Sequence, residues 1–480
     1  MVLPHSPFLF ALAVGFLLSL QNARGQETGN APALRPPNII LILVDDLGYG
    51  DLGCYGASKQ ATPNIDRLAA EGARLTDFYV SAPVCSPSRA AFLTGCYHKR
   101  IGVNHVFWPV SKTGLNPNEV TIAEILRARG YATRYFGKWH LGDQKVFLPT
   151  RQGFDHNLGI PYSHDMGSMV RVKKESGRLN PLHMRVVPVL RDEKVEELVK
   201  DVGPLMSVYE QELIEFIGAS GEQPFFAMLA QHAVHLPNEP SKSYRGISQN
   251  GDYGDWLHEL DDSVGRILAA LEESGLDRQT LVLLTSDNGP AKKNNGTAAP
   301  LRGTKHTTWE GGVRVPFVAR WPGTIPPGQV RREIVACMDL LPTLAAISGG
   351  SLSSVPGTID GVNVAPLLLG TQLDAPPRQT FAYYQRTKLM AVRHGRWKLH
   401  LKAPDGRENV LFDLQADVAE TTDLAADYPA VVRQLLDIAG PVRLDLGDGR
   451  KKGIGVRSLG HAAKLRPLFQ ATSHPSQEDE

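Results

Sequence analysis

The sequence predicts an α/β protein: one large, mostly parallel or mixed sheet flanked by helices, followed by a smaller C-terminal α+β domain. Three observations predict it. Continuous apolar runs at Asn38 to Val44, Phe225 to Ala230 and Thr280 to Thr285 have the pattern of strands buried on both faces. Helical patterns lie between them, at Asn64 to Gly72, Thr121 to Arg129 and Tyr253 to Ser274, and strands that alternate with helices imply a parallel sheet. Beyond Gly370 the pattern changes to short strands at Thr380 to Tyr384, Met390 to Arg393 and Trp397 to Leu401, with a helix near Pro429 to Ile438.

Each element has a local reason. The first strand follows a Pro-rich stretch, Ala31 to Pro37, and stops at Asp45-Asp46. Pro63 stands near the first turn of the first helix and Gly130 closes the second. Tyr131 to Tyr135 reads as the next strand. Gly349 to Gly361, rich in Gly, Ser and Pro, marks a connecting region. These signals divide the chain into a leader over 1–25, a main domain over 26–370, an antiparallel-sheet subdomain over 371–458 and a polar tail over 459–480 that reads as disordered.

With 480 residues, 42% hydrophobic and 21% charged, the chain is long enough to bury a large core. Its formal net charge of +1 gives no overall field that would attract nucleic acid or an anionic membrane. Affinity for an anion must come from a local site. The apolar run Phe8 to Leu20, followed by small residues up to Gly25, reads as a cleaved signal peptide and implies export to the periplasm or the medium. No Lys or Arg precedes it, so an uncleaved anchor is the alternative. No later stretch reaches the roughly 20 apolar residues of a membrane span. Four cysteines are too few for a disulfide framework, although export permits one bridge. Asn295-Gly296-Thr297 is a single glycosylation sequon.

In open α/β sheets ligands gather at the carboxyl ends of the strands. Asp45, Asp46, Lys138, His140, His235, Asp287 and Asn288 all lie just past such ends. Asp45-Asp46 and Asp287-Asn288 offer only oxygen ligands, which suit a hard cation such as Ca²⁺ or Mg²⁺ rather than zinc. Either pair by itself is as readily a turn or a helix cap. Lys138 and His140, two apart on an extended segment, share a side with Trp139 turned away.

The segment Cys85-Ser86-Pro87-Ser88-Arg89, with Leu93-Thr94-Gly95 after it, closely resembles the sulfatase signature. Gly137 to Gly142, with Lys138 and His140, resembles the family's second signature. Val234-His235-Leu236-Pro237 resembles its His-X-Pro element, and Leu301 to Lys305 with Trp309 to Gly312 a further one. Tyr162-Ser163-His164 looks like the arylsulfatase A branch, and Trp397-Lys398-Leu399 and Leu411 to Leu414 match the family's C-terminal domain.

The chain is thus similar, from about Asn38 to Pro366, to the formylglycine-dependent sulfatases of the alkaline phosphatase superfamily. The resemblance implies an alkaline phosphatase-like fold with 26–370 as catalytic domain. It implies that a separate formylglycine-generating enzyme oxidises Cys85 to Cα-formylglycine, whose hydrate offers one hydroxyl to attack sulfur and a second to expel the sulfate. Asp45, Asp46, Asp287, Asn288 and the converted Cys85 would hold the cation. Arg89 would support the hydrated aldehyde, Lys138 and Ser163 the sulfate, and His140 would act as base. His235 and Lys305 would serve the sulfate and the leaving alcohol, with His232 behind them. The implied substrate is an aryl sulfate or a sulfated carbohydrate. A phosphate or phosphonate monoester hydrolase of the same superfamily and a non-catalytic binder of sulfated glycans are the competing readings. Loops such as Met166 to Arg191 would set specificity.

Overall fold

The computed structural model describes residues 36–169, 171–173, 179–181, 186–465 and 468. The leader, the far end of the tail and parts of the Met166 to Arg191 loop lie outside the described residues. At the centre of a ten-stranded sheet lie the strands that carry the polar residues singled out above. In chain order the sheet contains β1 (Asn38–Val44), β2 (Ala73–Leu75), β3 (Ala132–Lys138), β4 (His156–Ile160), β5 (Val187–Arg191), β6 (Lys194–Val199), β7 (Phe225–Ala230), β8 (Thr280–Ser286), β9 (Phe317–Arg320) and β10 (Gln329–Arg331). Their spatial order is β6-β5-β4-β3-β7-β1-β8-β9-β2-β10.

From β4 to β8 neighbouring strands run parallel, whereas β5, β6 and β9 enter antiparallel. The sheet is therefore mixed. Every residue of β1, β7 and β8 is buried, as their unbroken apolar runs require. Alternate side chains separate the core into two layers. Ile39, Leu41 and Leu43 face a layer with α2 (Cys85–Thr94), α3 (Ile122–Ala128) and α6 (Leu340–Ser348). Ile40, Ile42 and Val44 face α1 (Pro63–Ala70), α4 (Leu205–Ala219) and α5 (Gly251–Glu273). Thr121 caps α3 in a reciprocal box with Glu124, which explains its sharp start.

A second, four-stranded antiparallel sheet holds β11 (Thr380–Gln385), β12 (Lys388–His394), β13 (Trp397–Lys402) and β14 (Glu408–Asp413) in consecutive order. Helix α7 (Pro429–Leu446) follows it and runs on past Ile438 through Pro441. From Pro36 on, the described residues cluster as one compact unit. At the predicted start of the tail, Gly460 and His461 pair with Gly114 and Thr113. All four cysteines are free thiols, so the bridge that export permits is not made.

Candidate active site

Two neighbouring strands bring the acidic pairs together. Val44 is in register with Ser286, and the Asp287 N–H donates to the Val44 carbonyl at 3.0 Å. The chain turns at Asp46, whose φ of 60° is left-handed. In an extended strand Asp45 and Asp46 would point to opposite faces. Here the Asp46 N–H donates to Asp287 Oδ1 at 3.3 Å, and Asn288 Nδ2 to Asp46 Oδ1 at 2.7 Å. All four residues are fully buried.

Cys85 is the first residue of α2, so its side chain sits at the helix end where unpaired N–H groups and the macrodipole favour negative charge. Arg89, four residues on, lies on the same helical face. Its Nε donates to Asp287 Oδ2 at 2.8 Å, its Nη1 to the Lys138 carbonyl at 2.7 Å, and its Nη2 lies 3.6 Å from Asp45. Ser88 ties the helix start down by donating to the Ala82 carbonyl at 2.6 Å. A ligand atom from each of Asp45, Cys85 and Asp287 lies within 4.8 Å of the others, and the same holds for Asp45, Asp46 and His235.

Lys138 ends β3, one residue beyond Gly137. There φ is 100°, and a Cβ would fall 2.1 Å from the Ala230 carbonyl oxygen. Only glycine permits this close approach of β3 to β7. Lys138 Nζ pairs with Asp45 and donates to Ser163 Oγ at 3.0 Å. Lys305 Nζ donates to Asp46 Oδ1 at 2.6 Å. Arg89, Lys138 and Lys305 are thus the matching cations for Asp287, Asp45 and Asp46.

His140, also left-handed with φ of 59°, points Nε2 at the Phe107 carbonyl, 3.1 Å away. A carbonyl only accepts, so Nε2 carries the proton and Nδ1 is a bare, buried lone pair without a partner. Trp139 turns to the other side, edge-on to Tyr135 and Phe154. His235 holds Nδ1 against the Leu236 carbonyl at 2.6 Å and Nε2 3.8 Å from Asp46 Oδ2. His232 is fully buried against Tyr209 and Trp256, with Nε2 on the Val202 carbonyl at 3.2 Å. It supports the site from behind.

Burial opposes every charge here, and neighbours decide the balance. Burial raises the Asp45 pKa, but Lys138, His235, Arg89 and Lys305 outweigh it and hold the carboxyl well below its usual range. Asp287 is pushed up to about 7 by burial and by Asp45. Burial and Lys305 bring His235 down to about 3; burial, then Lys138 and Arg89, depress His140 strongly. Burial works against the ammonium of Lys305, yet Asp46 raises its pKa overall.

Asp45 Oδ1, Asp46 Oδ2 and Asn288 Oδ1 are buried without a hydrogen-bond partner. Each such orphan costs about 1–3 kcal/mol. Three orphaned oxygens beside Asp287 and the Cys85 side chain fit a hard divalent cation, and the absence of a nitrogen- or sulfur-dominated set disfavours zinc.

The sequence motifs did not single out the support of the Lys305 loop. The Lys305 N–H donates to the Pro290 carbonyl at 2.9 Å, and Trp309 lies under the Arg302 guanidinium, 3.8 Å away. From the second sheet, Lys398 Nζ reaches the Thr308 carbonyl and Glu310 Oε1, both at 2.9 Å. Lys398 belongs to a quoted motif, yet nothing in Trp397-Lys398-Leu399 shows that the lysine is fully buried. His164 also belongs to a quoted motif, in which it was given no role. It packs edge-on to both His232 and His235.

Comparison with known proteins bears directly on this arrangement. The family described as Sulfatase matches residues 37–350, and the C-terminal family described as N-sulphoglucosamine sulphohydrolase matches 304–437. The chain is 44% identical to Homo sapiens arylsulfatase A over 423 residues, covering 84% of this chain and 82% of that protein. It is 38% identical to Homo sapiens N-acetylgalactosamine-6-sulfatase over 395 residues, covering 78% and 73%. The PsFucS1 sulfatase from Pseudoalteromonas sp. superposes with a TM-score of 0.76 at 30% identity, covering 85% of this chain and 90% of that one. The chain belongs to the sulfatase family, and it is an enzyme that hydrolyses sulfuric esters.

Proposed function

We propose that the cluster around Cys85 is the active centre of a calcium-dependent sulfate monoester hydrolase, exported and matured by conversion of Cys85 to formylglycine. One observation supports the metal part of this reading: ligand atoms of Asp45 group with Cys85 and Asp287 in one set and with Asp46 and His235 in another, while Asp45 Oδ1, Asp46 Oδ2 and Asn288 Oδ1 are buried without a hydrogen-bond partner. When bound, the cation supplies Lewis acidity and the aldehyde hydrate a pair of hydroxyls on one carbon. The rest falls to the side chains of the chain itself.

Asp45, Asp46, Asp287 and Asn288 hold the cation. Lys138 and Ser163, already joined to each other, bind sulfate oxygens, with Lys305 opposite. Arg89 fixes Asp287 and the Lys138 backbone, so it keeps the cation ligands and the sulfate-binding lysine in register. The bare Nδ1 of His140 is the base that accepts a hydroxyl proton. In neutral His235 the proton sits on Nδ1, so Nε2 has none to give. Protonation of the leaving alcohol therefore falls to Lys305, while His235 orients it. The substrate is an aryl sulfate or a sulfated sugar, as the names of the relatives suggest.

Two measurements test this. The Cys85→Ala variant is expected to lose all turnover of 4-nitrophenyl sulfate while melting within a few degrees of the native protein. The mass of the Cys85 peptide from the native host should show the aldehyde in place of the thiol. A kcat/KM that favours 4-nitrophenyl phosphate over the sulfate would instead point to a phosphate esterase.

A further inference from the structure

The hairpin between β11 and β12 holds a cation that the reaction above does not use. Gln385 pairs with Lys388, leaving Arg386 and Thr387 as a two-residue loop. Arg386 has φ of 55°. That conformation costs an L side chain about 1–2 kcal/mol, and glycine is the favoured residue for positive φ in such loops. Folding alone would be served better by glycine.

The loop is tied to both flanks of the active centre. On one flank, Gln385 Nε2 donates to the His306 carbonyl at 2.6 Å. His306 follows Lys305, and its N–H donates to the carbonyl of Pro83, two residues before Cys85, at 2.8 Å. On the other, His98 Nε2 donates to the Arg386 carbonyl at 3.2 Å. Burial, and after it the positive charge of Arg386, lowers the pKa of His105, two residues before the Phe107 that holds His140. His306 is lowered by burial, then Lys305, and also by Arg386. The guanidinium thus acts on residues of both flanks.

Arg89, Lys138 and Lys305 each have an aspartate partner. Arg386 is exposed, and no carboxylate among the described residues pairs with it. We propose that Arg386 is a specificity residue that selects sulfate esters bearing a second anionic group, a carboxylate or another sulfate, beside the one that is cleaved. This rests on the sulfatase reading of the site and narrows its substrate class to acidic sulfated sugars. A simple aryl sulfate leaves the guanidinium in water, whereas a neighbouring anion meets it. An exposed pair of this kind is worth up to about fivefold in kcat/KM, and the gain shrinks as salt screens it.

Two matched substrate pairs test the proposal. One is a sulfated disaccharide with its uronate free or methyl-esterified; the other is a monosaccharide with two sulfates or one. The native enzyme is expected to prefer the more anionic member of at least one pair by about fivefold at low ionic strength, and the pair that shows it tells carboxylate from sulfate. In Arg386→Gly the preference should fall to about one, with a melting temperature no lower than native because the loop strain is gone. Arg386→Lys should keep most of it. An unchanged preference in Arg386→Gly, or a native enzyme indifferent in both pairs, overturns the proposal. Failure to hydrolyse even 4-nitrophenyl sulfate would sink the sulfatase reading instead, and calorimetric binding of the same pairs would then decide the role of Arg386.

Discussion

Two buried charge clusters stand close together in this protein, and they differ in how they are completed. Around Cys85, three acids face three cations, yet Asp45 Oδ1, Asp46 Oδ2 and Asn288 Oδ1 are left without donors. Between the two sheets, Glu310, Glu420 and Asp77 have a donor on every carboxylate oxygen. Lys398 and Tyr383 serve Glu310 Oε1, while Tyr79 and Arg314 serve Oε2. Lys398 and His400 meet Glu420 Oε1, and the Glu310 N–H meets its Oε2. Arg314 and Arg393 take the two oxygens of Asp77. A buried cluster whose acids are all met by donors rigidifies, even though His400 Nδ1 within it has no partner, whereas one that leaves acidic and amide oxygens over has room for a ligand. The difference separates a structural cluster from a reactive one without appeal to any motif.

The comparison can be broken by removing one acid from each cluster. Glu310→Gln leaves buried Arg314 and Lys398 short of a partner and is expected to cost about 3–5 kcal/mol in urea unfolding. It should leave the calcium response of the folded protein intact. Asp287→Asn should do the reverse. Burial and Asp45 push Asp287 up to about 7, so it carries less of its charge in the metal-free protein, and the uncharged isostere should cost less metal-free stability than Glu310→Gln even though Arg89 loses an acceptor. Its kcat/KM on 4-nitrophenyl sulfate should fall at least about 100-fold, and the stabilisation of about 2.7 kcal/mol expected for the native protein at calcium one hundred times its dissociation constant should disappear. Equal loss of stability in both variants would erase the distinction.

Lys305→Ala sharpens the comparison from the side of the loop that joins the clusters. With Lys305 in its proposed role on leaving-group charge, the variant should slow esters of poor leaving alcohols about tenfold more than activated aryl esters. Equal losses on both would assign the residue to sulfate binding alone. The last expectation is acid sensitivity of the structural cluster. Burial, then Lys398, brings His400 down to about 4. The unfolded chain takes up this proton near its ordinary value of about 6.5 and the native state does not. Stability is therefore full above that value and falls as pH drops toward 4. Urea titrations between these limits should show a slope about one proton shallower in His400→Gln.

Much of this was legible in the chain. Unbroken apolar runs located β1, β7 and β8 because strands buried on both faces admit nothing else, and the polar residues after them marked the end of the sheet where the site forms. The periodicity of α5 and the reciprocal cap of α3 were equally local. The antiparallel entry of β9 and the strand β14 were not, since short strands take their direction and partner from the whole sheet. Lys398 could not be recognised as buried, because its burial depends on Glu310 and Glu420, far away in sequence.

By itself the sequence determined the chemistry on offer: Cys85 in a segment that resembles the sulfatase signature, oxygen-only pairs at strand ends, and lysines and histidines at fixed spacing. Those are properties of short segments. The tertiary structure alone decided which atoms meet: the left-handed turn that swings Asp46 beside Asp45, the tautomer that bares His140 Nδ1, and the hairpin that carries Arg386 to the flanks of the active centre. Backbone turns, proton positions and long-range pairings are set by neighbours distant along the chain, and only folding supplies those neighbours.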